Sequence, residues 1–306
     1  MSTFVELTPD QYSPAAFAKF DPAATDFKID NARAMMWMSQ LAYETGQPRT
    51  IEAVGKLWNL ISVTPFTRHK ISLAASFETC GIMGERQHAV ILAFAGTDPA
   101  VWETLATDFN IRPTGDKNTH SGFQAALDAV QPEIAQAIER SRQSGKPLFI
   151  AGHSLGGALA ALAAQFADIE GARPRAVYVF GMPRTGGEKF QTDYDASLGP
   201  VTFRLVHGLD IVARVPMSEI GFRHVGRAVQ CGSGKKFDPA ARLSEIGSDS
   251  PEFSAGLAQS IVGGVEGILS GHIFSPPGPG TFGPLFKYLP RPIRDHLQDC
   301  YYTALA

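Results

Sequence analysis

Ser154 lies in Gly152-His153-Ser154-Leu155-Gly156, a G-x-S-x-G pattern. The apolar run Pro147-Leu148-Phe149-Ile150-Ala151 before it suits a buried strand, and the stretch after it is rich in helix formers. Leu155, Leu159, Leu162, Phe166 and Ile169 recur at helical spacing. A serine at a strand-to-helix switch is pushed out on a tight turn. Glycines two residues to either side remove the Cβ atoms that would clash there. Such a hydroxyl does nucleophilic chemistry, attacking an electrophilic carbon when a base takes its proton. The alternative, a glycine-rich turn with a solvated serine, lacks this strand-and-helix setting.

A serine hydroxyl is a poor nucleophile at neutral pH. It needs a base, a group that orients the base, and N–H donors for the oxyanion. With the nucleophile at the end of a parallel strand, the order serine, acid, histidine is expected, so both partners are sought after Ser154. Asp210 follows an apolar stretch, in the loop His207-Gly208-Leu209-Asp210. Asp193 and Asp195, in an expected surface helix, and Asp238 are its rivals. Four histidines lie downstream: His207, His224, His272 and His296. His207 is too near Asp210 in sequence to reach across easily, and His224 falls inside an expected strand. His296 is expected in a final helix, bordering a packed face of Ile293, Leu297, Cys300 and Tyr301. Spacing favours Asp210 and His296 but leaves open an exposed loop carboxylate and a structural histidine.

The surrounding pattern says what positions these groups. Helices are expected over 31–45, 50–60, 100–107 and 188–196. Strands are expected over 77–84, 88–95, 175–180, 201–206 and 222–230. Phe123, Leu127, Val130, Ile134 and Ile138 make one helical stripe with Pro132 inside it, which implies a kink or two joined helices. Strands alternating with helices give an α/β class with a mainly parallel sheet covered on both faces. Chemistry in such sheets gathers beyond the carboxyl ends of the strands. The chain reads as one domain over 1–306, with an N-terminal helical extension over 1–70 and an insertion over 235–285. Residues 275–292, dense in proline and glycine, read as an irregular arm.

Composition narrows the class. The 306 residues are 44% hydrophobic and 19% charged, which is ordinary globular composition. A net charge of −3 argues against a nucleic-acid partner, which needs a basic face. Cys80, Cys231 and Cys300 lack C-x-x-C spacing, so buried reduced thiols are expected in place of a zinc site. Residues 1–20 show no basic start followed by an apolar run, so no signal peptide is visible and a cytoplasmic location is the default expectation. The apolar stretch 254–274 carries Glu266 and five glycines, so no transmembrane segment is expected.

Several segments carry a resemblance. Val90-Ile91-Leu92-Ala93-Phe94-Ala95-Gly96-Thr97 resembles a strand ending in F-R-G-T/S. Thr119-His120-Ser121-Gly122-Phe123 resembles H-x-G-F, and Gly152 to Gly157 resembles G-H-S-L-G-G. Phe180-Gly181-Met182-Pro183-Arg184 resembles G-x-P-R, and Asp210 to Pro216 resembles D-x-V-x-x-x-P. Asp295-His296 with Tyr301 and Tyr302 resembles a loose D-H-x-x-Y. Together, over roughly 75–232 and the last fifteen residues, they are similar to the class 3 lipase family of α/β-hydrolases.

The resemblance implies an α/β-hydrolase fold and a serine ester hydrolase, a lipase or esterase acting on acylglycerols or other lipophilic esters. Ser154 would be the nucleophile, Asp210 the acid and His296 the base, with Thr97 and Leu155 forming the oxyanion hole. No cofactor or metal is implied. Phospholipase A1 and feruloyl esterase are alternatives within the class, and a non-catalytic binding module is the alternative outside it. The family usually has arginine where Ala95 stands, which removes one polar anchor near the oxyanion loop.

Other residues support the site under the same reading. His153 and His120 are expected as buried structural groups, and Arg184 as a tie between loops. Asp98 either braces the oxyanion loop or caps the helix after it. Leu257, Ile261, Val265 and Ile268 form a helical stripe in the insertion. It is either a lid that meets a lipid–water interface or a packing helix.

Overall fold

The computed structural model describes residues 6–71, 76–96, 118–248 and 291–306. The chain opens with an irregular arm, then helix α1 (Ile29–Leu41), a short 3-10 turn (Ala42–Glu44) and α2 (Pro48–Leu57). Three strands follow: β1 (Ser62–Ile71), β2 (Ser76–Arg86) and β3 (Ala89–Phe94). Next come α3 (Ser121–Ala129), α4 (Gln131–Ser144), β4 (Leu148–His153), α5 (Leu155–Ile169) and β5 (Ala176–Phe180). The later elements are β6 (Gly186–Gly187), α6 (Glu188–Ser197), β7 (Thr202–His207), β8 (Phe222–Arg223) and β9 (Arg227–Cys231). Two short helices, α7 (Arg291–Arg294) and α8 (Gln298–Ala304), close the chain.

Among the described residues one sheet has seven strands in the order β1-β2-β3-β4-β5-β7-β9. β1, β2 and β3 pair antiparallel, and every later pair in that sheet is parallel. β6 and β8 form a separate two-stranded ladder. This is an α/β-hydrolase fold. Both faces of the sheet are covered, so its inner strands are continuously apolar. In β3, Ile91 and Ala93 face one core with Phe149, Tyr178, Trp37 and Trp58. Val90, Leu92 and Phe94 face the other with Ile150, Val179, Leu159 and Phe123.

Most expected elements are present with shifted ends. The stripe containing Pro132 is two helices joined at Val130. The proline stands in the first turn of α4, where its missing N–H removes no helical bond. Three expectations are corrected. The N-terminal extension is not helical throughout, because Ser62–Ile71 forms edge strand β1. Its polar composition and Pro65 conceal it, and an edge strand tolerates both because one side lacks a ladder. The strand expected over 222–230 is broken between Arg223 and Arg227, where Gly226 turns at φ +73 against Thr202. His296 stands in the turn between α7 and α8, not within a final helix. The helix of 100–107, the stripe of 257–268 and all but the last two residues of the arm of 275–292 lie outside the described residues; Arg291 and Pro292 open α7 and are not irregular.

Candidate active site

β4 delivers His153 and then Ser154, which caps the N-terminus of α5 with φ 60 and ψ −131. A non-glycine residue at positive φ is strained, and here the flanking glycines hold the turn. A Cβ on Gly152 would lie 2.0 Å from the Gly156 carbonyl oxygen, and one on Gly156 2.4 Å from that of Phe94. The Ser154 N–H donates to the Phe180 carbonyl at 2.9 Å, which fastens the turn to the end of β5. Ser154 is buried. Leu155 opens α5, so its N–H is one that the helix itself does not engage.

Asp210 follows β7 and is fully buried. Its Oδ1 accepts from the Val212 N–H at 2.8 Å, and its Oδ2 accepts from the Tyr301 hydroxyl at 2.6 Å. His296 Nδ1 is 2.9 Å from both carboxylate oxygens. Burial alone would raise the Asp210 pKa. The charge and hydrogen bond of His296, with the Tyr301 hydrogen bond, outweigh it and hold the group below the usual carboxylate range. Gly181, at φ +56 just after β5, makes room for this pair. A Cβ there would lie 2.5 Å from Asp210 Oδ2 and 2.8 Å from His296 Nδ1.

The His296 ring stacks on that of His153, with centroids 4.7 Å apart and planes at 29°. His153 Nε2 is 2.8 Å from the His296 carbonyl oxygen, and His153 Nδ1 is 2.9 Å from the Tyr43 hydroxyl. Burial first, and the His296 charge second, push the His153 pKa down to about 3, so its ring is neutral at working pH. The chain thus brings the 153–155 turn, Asp210 and His296 together, although 86 residues separate the acid from the histidine.

The other candidates have structural partners. His207 Nε2 accepts from the Gly234 N–H at 3.2 Å. Buried His224 lies 2.8 Å from the Ala213 carbonyl through Nε2. Asp193 pairs with Lys189 on the surface, Asp195 accepts from the Gly226 N–H, and Asp238 accepts from the Ala240 N–H. His120 packs against the rings of Phe123 and Phe222. Arg184 donates to the carbonyls of Arg214 and Pro216, which ties the turn after β5 to the acid loop. Thr97, Asp98 and His272 lie outside the described residues. Tyr43 carries no motif signal, and only the fold shows it at the site; Gly181 stands in the G-x-P-R segment, and the fold adds that it makes room for the Asp210–His296 pair.

Among the described residues one cluster has donor atoms close enough to hold a metal, formed by His207, Asp295 and Cys300. Its atoms already serve the protein. Asp295 Oδ2 accepts from the Leu209 N–H at 2.9 Å and from Ser233 Oγ, and Cys300 Sγ donates to the Arg294 carbonyl. These bonds brace the turn that carries His296. The three cysteines are free, and half-buried where full burial was expected. No described helix is long and apolar enough to cross a membrane.

Known proteins match this chain in part. A secreted mono- and diacylglycerol lipase of Malassezia restricta is 37% identical over 109 residues, covering 34% of this chain and 36% of the relative. One from Fusarium solani is 35% identical over 130 residues, covering 42% and 38%. The chain therefore spans less than two fifths of the length of these relatives. Both are described as secreted, which overturns the default expectation of a cytoplasmic location. The triacylglyceride lipase structure of Rhizomucor miehei aligns with a TM-score of 0.58 at 18% identity, over 72% of this chain and 86% of that one. That likeness is one of fold. Residues 91–220, which include Ser154 and Asp210, match the family model described as lipase (class 3), and in sequence and fold the chain resembles fungal class 3 lipases.

Proposed function

We propose that this chain is a serine carboxylic ester hydrolase acting on acylglycerols or other lipophilic esters. The observation that carries the reading is the buried Asp210–His296 pair beside a serine turn at positive φ. Ser154 Oγ attacks the ester carbonyl. With Nδ1 facing Asp210, His296 Nε2 takes the serine proton and then gives it to the leaving alcohol. Asp210, already ionised, stabilises the imidazolium. The Leu155 N–H and Thr97 bind the oxyanion. Water, deprotonated by His296, then releases the acid from the acyl enzyme. The names of the relatives above support acylglycerol substrates. The stripe at 257–268 in the insertion serves either as a lid or as a packing helix: deleting 250–275 should alter chain-length preference in the first case and only solubility in the second.

A fluorophosphonate probe tests the nucleophile. Wild type should label, and Ser154→Ala should not. If neither labels, a non-catalytic binding module becomes the better reading. Chromogenic esters of rising chain length, assayed beside a phospholipid and a feruloyl ester, then separate lipase from phospholipase A1 and feruloyl esterase.

A further inference from the structure

Tyr43 lies in the 3-10 turn after α1, outside residues 91–220. Its hydroxyl nevertheless meets the site from two sides. The Gly96 N–H donates to it at 2.8 Å, and it is 2.9 Å from His153 Nδ1. The Gln298 side chain, two residues past His296, faces the same hydroxyl.

Hydrogen-bonding capacity fixes the direction of this chain of contacts. The His296 carbonyl can only accept, so neutral His153 carries its proton on Nε2 and donates there. His153 Nδ1 is then an acceptor. A tyrosine hydroxyl has one proton to give, and Tyr43 gives it to Nδ1 while its oxygen accepts from Gly96. The sequence of bonds is Gly96 N–H to Tyr43 O–H to His153, and His153 Nε2–H to the His296 carbonyl. Gly96 is pressed onto the nucleophile turn, since a Cβ on it would lie 2.6 Å from both Ser154 Cβ and the Tyr43 hydroxyl. Thr97 is the next residue.

We infer that Tyr43 is a positioning residue. It locks the end of β3, which leads into the oxyanion donor Thr97, to the backbone of the general base His296 through the ring of His153. This rests on the ester-hydrolase reading above. An oxyanion donor helps only where charge develops in the transition state, so the lock acts on kcat and not on substrate binding.

The test compares full-length wild type and Tyr43→Phe. Fluorophosphonate titration counts active sites, a short chromogenic ester gives kcat and KM per site, and an alkyl boronic acid reports binding of a tetrahedral adduct. Removing a direct oxyanion donor costs 10²–10³ in kcat, and Tyr43 acts one residue away, so a loss of about 10-fold is expected. KM should stay within about twofold, and boronate affinity should fall in step with kcat. A purely structural tyrosine would lower the thermal midpoint and leave kcat per titrated site unchanged, and that result overturns the proposal. Should Tyr43→Phe fail to fold, histidine ¹⁵N NMR of wild type decides the matter. A neutral His153 protonated at Nε2 supports the chain of bonds, and a proton on Nδ1 breaks it. A wild type that neither labels nor hydrolyses esters removes the hydrolase reading itself, whereas failure of the Tyr43 inference alone leaves wild type active.

Discussion

Tyr301 donates to the same Asp210 oxygen that faces His296 Nδ1, and its own oxygen accepts from the His207 N–H at 3.1 Å. One phenol therefore ties the acid to the end of β7. Tyr301→Phe leaves Asp210 one donor short and strands the His207 amide. We expect a stability loss of about 1–2 kcal/mol and a fall in kcat of about 3- to 10-fold. Asp210→Asn should cost far more, about 10⁴-fold in kcat, because the imidazole loses its orienting charge. Equal losses in the two variants, measured per labelled site, would contradict this ranking.

Burial of neutral His153 makes stability depend on acid. Its folded pKa is near 3, whereas a free histidine titrates near ~6.5. Between those values the unfolded chain binds a proton that the folded chain refuses. Stability from this group is therefore complete above about pH 6.5 and declines as pH falls toward 3. The thermal midpoint of wild type should drop across that window. His153→Gln should show a shallower slope, and identical slopes would exclude His153 as the source.

Glu44 works in the opposite sense. Burial raises its carboxyl to about 7, against hydrogen bonds from the Leu7 N–H and the Tyr12 hydroxyl, and its Oε2 is buried without a hydrogen-bond partner. The folded state holds a proton that the unfolded state has released. Stability from this group is full below about pH 4.5 and is lost as pH rises through 7. Glu44→Gln should remove that loss, on the order of 2 kcal/mol at pH 8. Denaturant titrations at pH 5 and pH 8 provide the comparison, and a wild type as stable at pH 8 as at pH 5 would count against it.

The three glycines around the serine should all resist a side chain, in a graded order. A methyl on Gly152 or Gly156 meets backbone carbonyls at 2.0 or 2.4 Å, which cannot move without shifting α5. Gly152→Ala and Gly156→Ala should each cost about 3 kcal/mol or more and abolish activity. On Gly157 the methyl meets Met182 Cβ at 2.9 Å and its Cα at 3.3 Å, atoms at the root of a buried side chain that no rotamer change moves away. Gly157→Ala should therefore cost about 1–3 kcal/mol, less than the two variants that strike carbonyls, and should lower activity. Purified yields, melting curves and ester turnover of the three variants test the order.

The elbow was readable from sequence because all its requirements are local: an apolar strand, two close glycines and a helical stripe lie together between Pro147 and Ile169. Asp210 was readable as a loop acid after a strand and the resemblance implied His296 as its partner, but the Tyr301 hydroxyl bond was not legible, since it reaches a residue far along the chain. His296 was found by its position in the chain, while its setting was misread. The bonds of Asp295 to Leu209 and Ser233 go with a turn where periodicity suggested a helix. β1 escaped because its pairing with β2, and not its own composition, makes it a strand. Tyr43 stayed hidden because its role depends on one hydroxyl meeting two remote partners.

Ribosomes build proteins from the N-terminus, and His296 follows every described strand of the sheet. A nascent chain can lay down its hydrophobic layers and form the serine bend well before the imidazole exists. Under the proposed mechanism, until that residue emerges and docks, the half-made molecule has the serine but nothing to draw off its proton, so turnover waits on the arrival of His296.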